Sequence, residues 1–337
     1  MNAIFHFTNA RLLDAEAGVL RDGLGVLVKD GRIAEVGSGI AAPSEAEIAD
    51  GTLAIETPRV MVEGVVPVPA ELAGLPRKQW PGPKPAIGVI DLGPEAHLVW
   101  TRVAPAEWVE ALAASRLARE AGLEVRRLTN ADEVLSALSD AEHHWLAIVN
   151  PYGEAFPVPA EDQWQAVLRA IRAYVATGGC WWETGGHSFY QAYVREGDGW
   201  RMVTIGTGGA DTLGIPVGAG DVDQMPEPLH VTDEGAQVLG EEVTGALAGL
   251  SSSVNRGIPG DGPAPVTWVA GQRGGFIGGY RLNGWGWLCR IGGFWPNRDV
   301  AIPVVRAALE HLYESPPAPV PADPMPQLWH FAIERVR

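Results

Sequence analysis

The chain has 337 residues, 46% of them hydrophobic, and a formal net charge of -16 from 41 acidic against 25 basic side chains. That apolar content supports a full core in one large or two unequal domains, and the acidic surplus, with no offsetting Lys/Arg cluster, argues against a nucleic-acid partner. Two cysteines are too few for a disulfide framework or a cysteine-rich metal site. No apolar run reaches the roughly 18 residues of a bilayer span, and the first residues, MNAIFHFTNARLL, lack a signal-peptide pattern. The expectation is a cytoplasmic protein with no membrane or nucleic-acid partner.

In chain order, residues 1–66 read as a β-rich segment. Phe5 to Asp14 and Gly25 to Gly37 carry strand-forming residues, and Asp30-Gly31 supplies a hairpin turn. The run NARLLD with VLVKDGRIAEVG resembles the N-terminal β portion of metal-dependent amidohydrolases. The histidine pair that should follow on a metal-binding strand is absent, so no metal and no cofactor are expected. Residues 67–86 form a Pro/Gly-rich connector in which neither a helix nor a central strand is sustained.

From Ile87 the pattern alternates. A buried strand at Ile87 to Gly93 precedes a helix from about Pro105, with Trp108, Leu112, Ser115 and Ala118 on one face. A strand at Leu123 to Leu128, a helix at Ala131 to Leu138 and a strand at Trp145 to Val149 follow. His143-His144 is read as a solvated loop. The clearest helix carries Trp164, Val167, Leu168, Ile171, Tyr174 and Val175 and stops at Gly178-Gly179. A short apolar strand, Cys180-Trp181-Trp182, then enters the tight turn Glu183-Thr184-Gly185-Gly186-His187, with another helix expected after it. Cys180 and Cys289 are expected as buried thiols.

Beyond Tyr190, the glycine runs 206–209 and 274–279 read as turns, and Phe276 to Ile291 as a hairpin turned by Asn283-Gly284. A last helix near Asn297 or Asp299 holds Pro303 in its first turn, and residues 315–337 form a Pro-rich tail ending in Trp329 and Phe331. The expected fold class is α/β: a doubly wound, flavodoxin-like parallel sheet over residues 87–314, with the small N-terminal β-rich segment.

The run Tyr174-Val-Ala-Thr-Gly-Gly-Cys-Trp-Trp-Glu-Thr-Gly-Gly186 resembles the YV-x-x-GG-x-x-x-x-C-x-G run of class I glutamine amidotransferases. Residues 226–239 add a similar P-x-x-L-x-V-T-x-E-G segment. The resemblance is to the ThuA-like and β-galactosidase-trimerisation branches, and it sets Thr184 where that family has its nucleophilic cysteine. A threonine hydroxyl is far harder to ionise than a thiol. His230 with Asp233, or His311, match the family's histidine poorly, so the resemblance implies a catalytically degenerate domain.

In such a sheet, ligands bind beyond the carboxyl ends of the strands. Two loops reach there and bring Glu154, Glu183, Thr184 and His187 as candidate catalytic groups. Asn150, Tyr152, Gly153, Trp182, Gly185 and Gly186 are the candidate ligand-binding residues. Three readings follow: a degenerate domain binding a small molecule or sugar, or serving in assembly; a hydrolase of a carbohydrate or amide using Glu154, Glu183 and His187; and a structural subunit of a homo-oligomer or complex. Thirteen tryptophans, Trp285, Trp287 and Trp295 beside glycines among them, suit either core filling or stacking on a sugar.

Overall fold

The computed structural model describes residues 4–14, 19–29, 32–41, 47–50, 65–66, 82, 84–140, 144–213, 215, 222–255, 266–272, 274–282, 286–293 and 298–314. The chain divides into two compact units, Met1–Val60 with Pro324–Arg337, and Met61–Asp323. In the first, β1 (Ile4–Asp14), β2 (Val19–Lys29), β3 (Arg32–Gly37) and β4 (Glu47–Asp50) form one sheet in the order β3-β2-β1-β4. β2 and β3 pair antiparallel across Asp30-Gly31, as the hairpin signal predicts.

The second unit is mixed α/β around a large mixed sheet. After β5 (Val65–Val66), which pairs with a later strand, come β6 (Pro85–Ile90), the helices α1 (Pro105–Ala113) and α2 (Arg116–Ala121), and β7 (Glu124–Leu128). Next are α3 (Ala131–Ser139), β8 (His144–Asn150), β9 (Ala155–Val158), α4 (Trp164–Ala176) and β10 (Cys180–Glu183). The chain then forms β11 (Gln191–Glu196), β12 (Gly199–Thr204), α5 (Gly208–Leu213), β13 (Val222–Val231) and α6 (Asp233–Leu247). It closes with β14 (Ser251–Asn255), β15 (Val266–Gly271), β16 (Gly274–Leu282), β17 (Gly286–Ile291) and α7 (Arg298–Glu314).

Five strands run parallel in the order β7-β6-β8-β10-β17. The sheet continues antiparallel through β16, β15, β13 and β14. Its strands alternate their side chains between two cores. Ile87, Val89, Cys180, Trp182, Cys289 and Ile291 pack with α1, α2, α6 and α7, while Ile90, Ile148, Trp181 and Leu288 pack with α3, α4 and α5. Cys180 and Cys289 are indeed buried thiols, their Sγ atoms 3.9 Å apart.

α4 follows its predicted stripe, with Val167, Leu168, Ile171, Tyr174 and Val175 buried. The Tyr174 hydroxyl donates to the Trp145 carbonyl at 3.0 Å, fastening α4 to β8. Tyr174→Phe removes that buried hydrogen bond and is expected to cost about 1–2 kcal/mol, read by urea denaturation.

Several expectations give way. The helix from Pro105 breaks in two, because Ser115 accepts the Ala118 amide at 3.1 Å and so caps α2. His144 is buried at the start of β8 instead of lying in a solvated loop; the other member of that pair, His143, lies outside the described residues. The run 274–279 belongs to strand β16, not to a turn: a Cβ on Gly278 would lie 1.8 Å from the Val266 carbonyl oxygen, so glycine permits a close strand approach there. Gly208 and Gly209 open the short helix α5. Pro303 falls at the sixth residue of α7, beyond the first turn. The hairpin β16–β17 forms with Leu282 opposite Gly286; Asn283-Gly284, Trp285, Trp295 and the tail residues Trp329 and Phe331 lie outside the described residues. Among the described residues, no helix is long and apolar enough to cross a membrane.

Candidate functional site

The carboxyl ends of β8, β10 and β17 set three side chains in a row: Glu183 lies beside Asn150 on one neighbour and beside Arg290 on the other. The parallel register aims all three the same way, since cross-strand partners share a face. A small three-stranded sheet, ordered β12-β11-β9, follows the two candidate loops. Its packing brings Phe189 against Phe156 and Trp181, with ring centroids 5.6 and 6.1 Å apart, and Tyr193 against Tyr152 at 5.8 Å.

That small sheet replaces the helix expected after the Gly-rich turn. The turn enters β11 because Gly186 (φ 69°) and Phe189 (φ 51°) adopt left-handed backbone, which interrupts a right-handed helix. Gly186 is held at both polar ends: its amide donates to the Gly293 carbonyl at 2.8 Å, and its own carbonyl accepts from Arg290 Nη2 at 2.6 Å.

Of the sequence-predicted residues, Asn150 ends β8, Trp182 and Glu183 end β10, and the others occupy this turn and the loop before β9. Asn150 shapes that loop: its Nδ2 donates to the Gly153 and Ala155 carbonyls at 3.2 and 2.9 Å, and its Oδ1 accepts the Tyr152 amide at 3.1 Å. The Tyr152 hydroxyl accepts the Leu92 amide at 2.7 Å, tying the end of β8 to the segment after β6. Thr184, fully buried, donates its hydroxyl to the Asn150 carbonyl at 2.8 Å. Trp182 points to the opposite core, near Trp268, and is not brought to the two carboxylates.

Glu154 accepts the Trp100 indole N–H at 3.0 Å on Oε1 and the His187 amide at 2.7 Å on Oε2. Glu183 accepts the Phe189 amide at 2.9 Å. Both carboxyls are about 98% buried or more, and neither caps a helix: the amides they bind belong to the turn. Burial pushes Glu154 above the ordinary carboxylate range, opposed by those two N–H donors and by Arg290. Burial pushes Glu183 further, to about 8, with Arg290, the Phe189 amide and the Ser188 hydroxyl pulling down and Glu154 adding to the rise. His187, half-buried, is lowered by burial and then by Arg290. Arg290 is lowered by burial and held up by Glu183, Tyr280 and Glu154.

Two participants escape sequence reading. Arg290 carried a signal, a lone charge in the apolar strand GWLCRI. Trp100 carried none, because its role rests on a positive φ of 57° in a loop. That loop lies against three glycines. A Cβ on Gly153 would sit 1.9 Å from the Val99 carbonyl oxygen, one on Gly185 2.4 Å from the Trp100 carbonyl oxygen, and one on Gly186 2.5 Å from Glu154 Oε2 and 2.8 Å from Trp100 Cδ1. The glycines let backbone meet backbone over the carboxylates.

The poorly matching histidines lie elsewhere: His230 is exposed on β13, Asp233 opens α6, and His311 is in the last turn of α7. Among the described residues, no cluster of three His, Cys, Asp or Glu side chains could hold a metal ion. The arrangement can hold a proton on Glu183 at neutral pH and can accept N–H or O–H donors on Glu154. No protein-family model matches the sequence, and no curated protein matches it.

Proposed function

We propose that residues 87–314 form a flavodoxin-like, class I glutamine amidotransferase-like domain, of the ThuA-like or β-galactosidase-trimerisation kind, that has lost turnover and binds a small ligand at its strand-end crevice. The parallel order β7-β6-β8-β10-β17 supports the fold part of this reading, since in chain order it is 2-1-3-4-5. The observation that carries the loss of chemistry is Thr184: at the nucleophile's position its hydroxyl proton is committed to the Asn150 carbonyl. A nucleophile needs a base at that proton. Purified protein incubated with glutamine should therefore release no ammonia above background. Release that disappears in Thr184→Val or Cys180→Ala would overturn the reading.

One observation favours hydrolysis as a second reading: two neighbouring carboxyls whose environments differ, with Glu183 raised to about 8 as a general acid would be. It ranks below the first because both carboxyls are engaged by N–H donors, Glu154 beneath Trp100. Hydrolysis of a carbohydrate or amide that Glu154→Gln and Glu183→Gln each abolish would reverse that ranking.

A further inference from the structure

The Trp100 loop sits on the crevice as a ligand would. The indole N–H meets Glu154 Oε1 at 3.0 Å, the ring edge lies over Gly186, and the backbone carbonyls of Val99 and Trp100 rest on Gly153 and Gly185, where any Cβ would collide. Glu154 is 1% exposed although Leu98, Val99 and Trp100 above it are all partly exposed. A bulky aromatic residue at φ 57° is held there against its backbone preference.

We propose that the recess bounded by Glu154 and Gly186, beside the backbone contacts of the loop with Gly153 and Gly185, is a binding site for planar heteroaromatic N–H compounds, occupied in cis by the Trp100 side chain. The carboxylate supplies the acceptor for the ring N–H, and Gly186 supplies a wall without a side chain. The tethered indole competes with any free ligand at an effective concentration in roughly the millimolar range or above. The apparent affinity of the intact chain is then the intrinsic one scaled by the fraction of molecules whose loop is open. The proposal deepens the ligand-binding reading of the same crevice and rests on it.

The test is calorimetric titration of the full-length chain with indole and with benzothiophene, which has the same shape and no N–H. Trp100→Gly vacates the recess and puts at φ 57° the residue that adopts it most readily. Indole should bind this variant at least about 30-fold more tightly than the wild type, and benzothiophene should bind it roughly 10-fold more weakly than indole, for want of the bond to a charged acceptor. A folded Trp100→Gly that binds indole no better than the wild type, or binds both compounds equally, overturns the proposal. If that variant does not fold, Trp100→Phe decides: it puts a smaller aromatic ring in place of the indole and loses the N–H, so the loop is held less firmly and indole should bind several-fold more tightly than to the wild type. Equal binding there overturns the proposal. Ammonia release from glutamine, followed on the same samples, reports on the parent reading independently of indole affinity.

Discussion

Replacing Gly153 by alanine is expected to destabilise the larger unit by about 3 kcal/mol or more. Two costs combine. Gly153 has φ 67°, where an L side chain is strained, and the added Cβ would meet the Val99 carbonyl oxygen at 1.9 Å. Its collision partner is backbone, so no rotamer change relieves it, and the loop bearing Trp100 must lift from Glu154. Gly197 is the internal control: its φ of 60° imposes a similar conformational strain, but nothing lies within 4 Å of a Cβ there. Gly197→Ala should lose only about 1 kcal/mol. In thermal melts the Gly153 variant should fall by roughly 6–12 °C, at ~2–4 °C per kcal/mol for a unit of this size. Equal losses for the two variants would show that the loop does not bear on Gly153.

The contrast between these glycines shows what the sequence could and could not disclose. Gly178-Gly179 and Asp30-Gly31 announce a helix stop and a hairpin through local chemistry, and the structure has α4 ending before the first and β2 and β3 flanking the second. The alternating pattern from Ile87 to Glu183 likewise reads correctly as strands and helices, because the central strands β6, β8 and β10 bury residues on two faces. Gly153 and Gly185 are different, since each is required by a distant backbone segment that comes close only after folding, and Gly278 is required by the neighbouring strand β15. Local composition therefore made 274–279 look like a turn when it is a strand of the sheet. The helix expected after the Thr184 turn failed for a related reason. The backbone there follows tertiary bonds from Arg290, Gly293 and Glu154, which outweigh local propensity.

The candidate site was half legible. Glu154, Glu183, Thr184 and His187 were all named from their place after strands, and the structure puts Glu183 at the last position of β10 and the other three in the two loops that follow β8 and β10, Glu154 bonding the His187 amide. Their partners were not legible. Glu183 and Arg290 are separated by a long stretch of sequence and become neighbours only because β17 inserts beside β10 in parallel. Trp100 reaches Glu154 across 54 positions. Without these partners the carboxylates looked free for acid and base work; with them, each has a structural bond to lose.

Glu183 gives that distinction a pH signature. A carboxyl raised from 4.5 to about 8 keeps its proton in the folded chain over a range where the unfolded chain has released it. The folded state thus binds more protons between those values, and stability falls as pH rises through that window and levels off above it. Below about 4.5 both states are protonated and Glu183 imposes no cost. Glu183→Gln keeps the shape of the neutral carboxyl and cannot ionise, so it should match the wild type near pH 5 and become progressively more stable than it toward pH 8.5. At ~1.4 kcal/mol per unit, the full divergence is on the order of 4 kcal/mol. The acids that do not interact with Glu183 remain unchanged in both proteins and cancel when urea denaturation curves of the two are subtracted at each pH, so the difference belongs to Glu183 and its coupling to Glu154. Parallel stability profiles would mean that Arg290 neutralises an ionised Glu183 already at neutral pH. A divergence of the opposite sign would mean that the folded chain prefers the carboxylate, and the crevice would then present a permanent Glu183–Arg290 ion pair in place of a carboxyl that holds its proton.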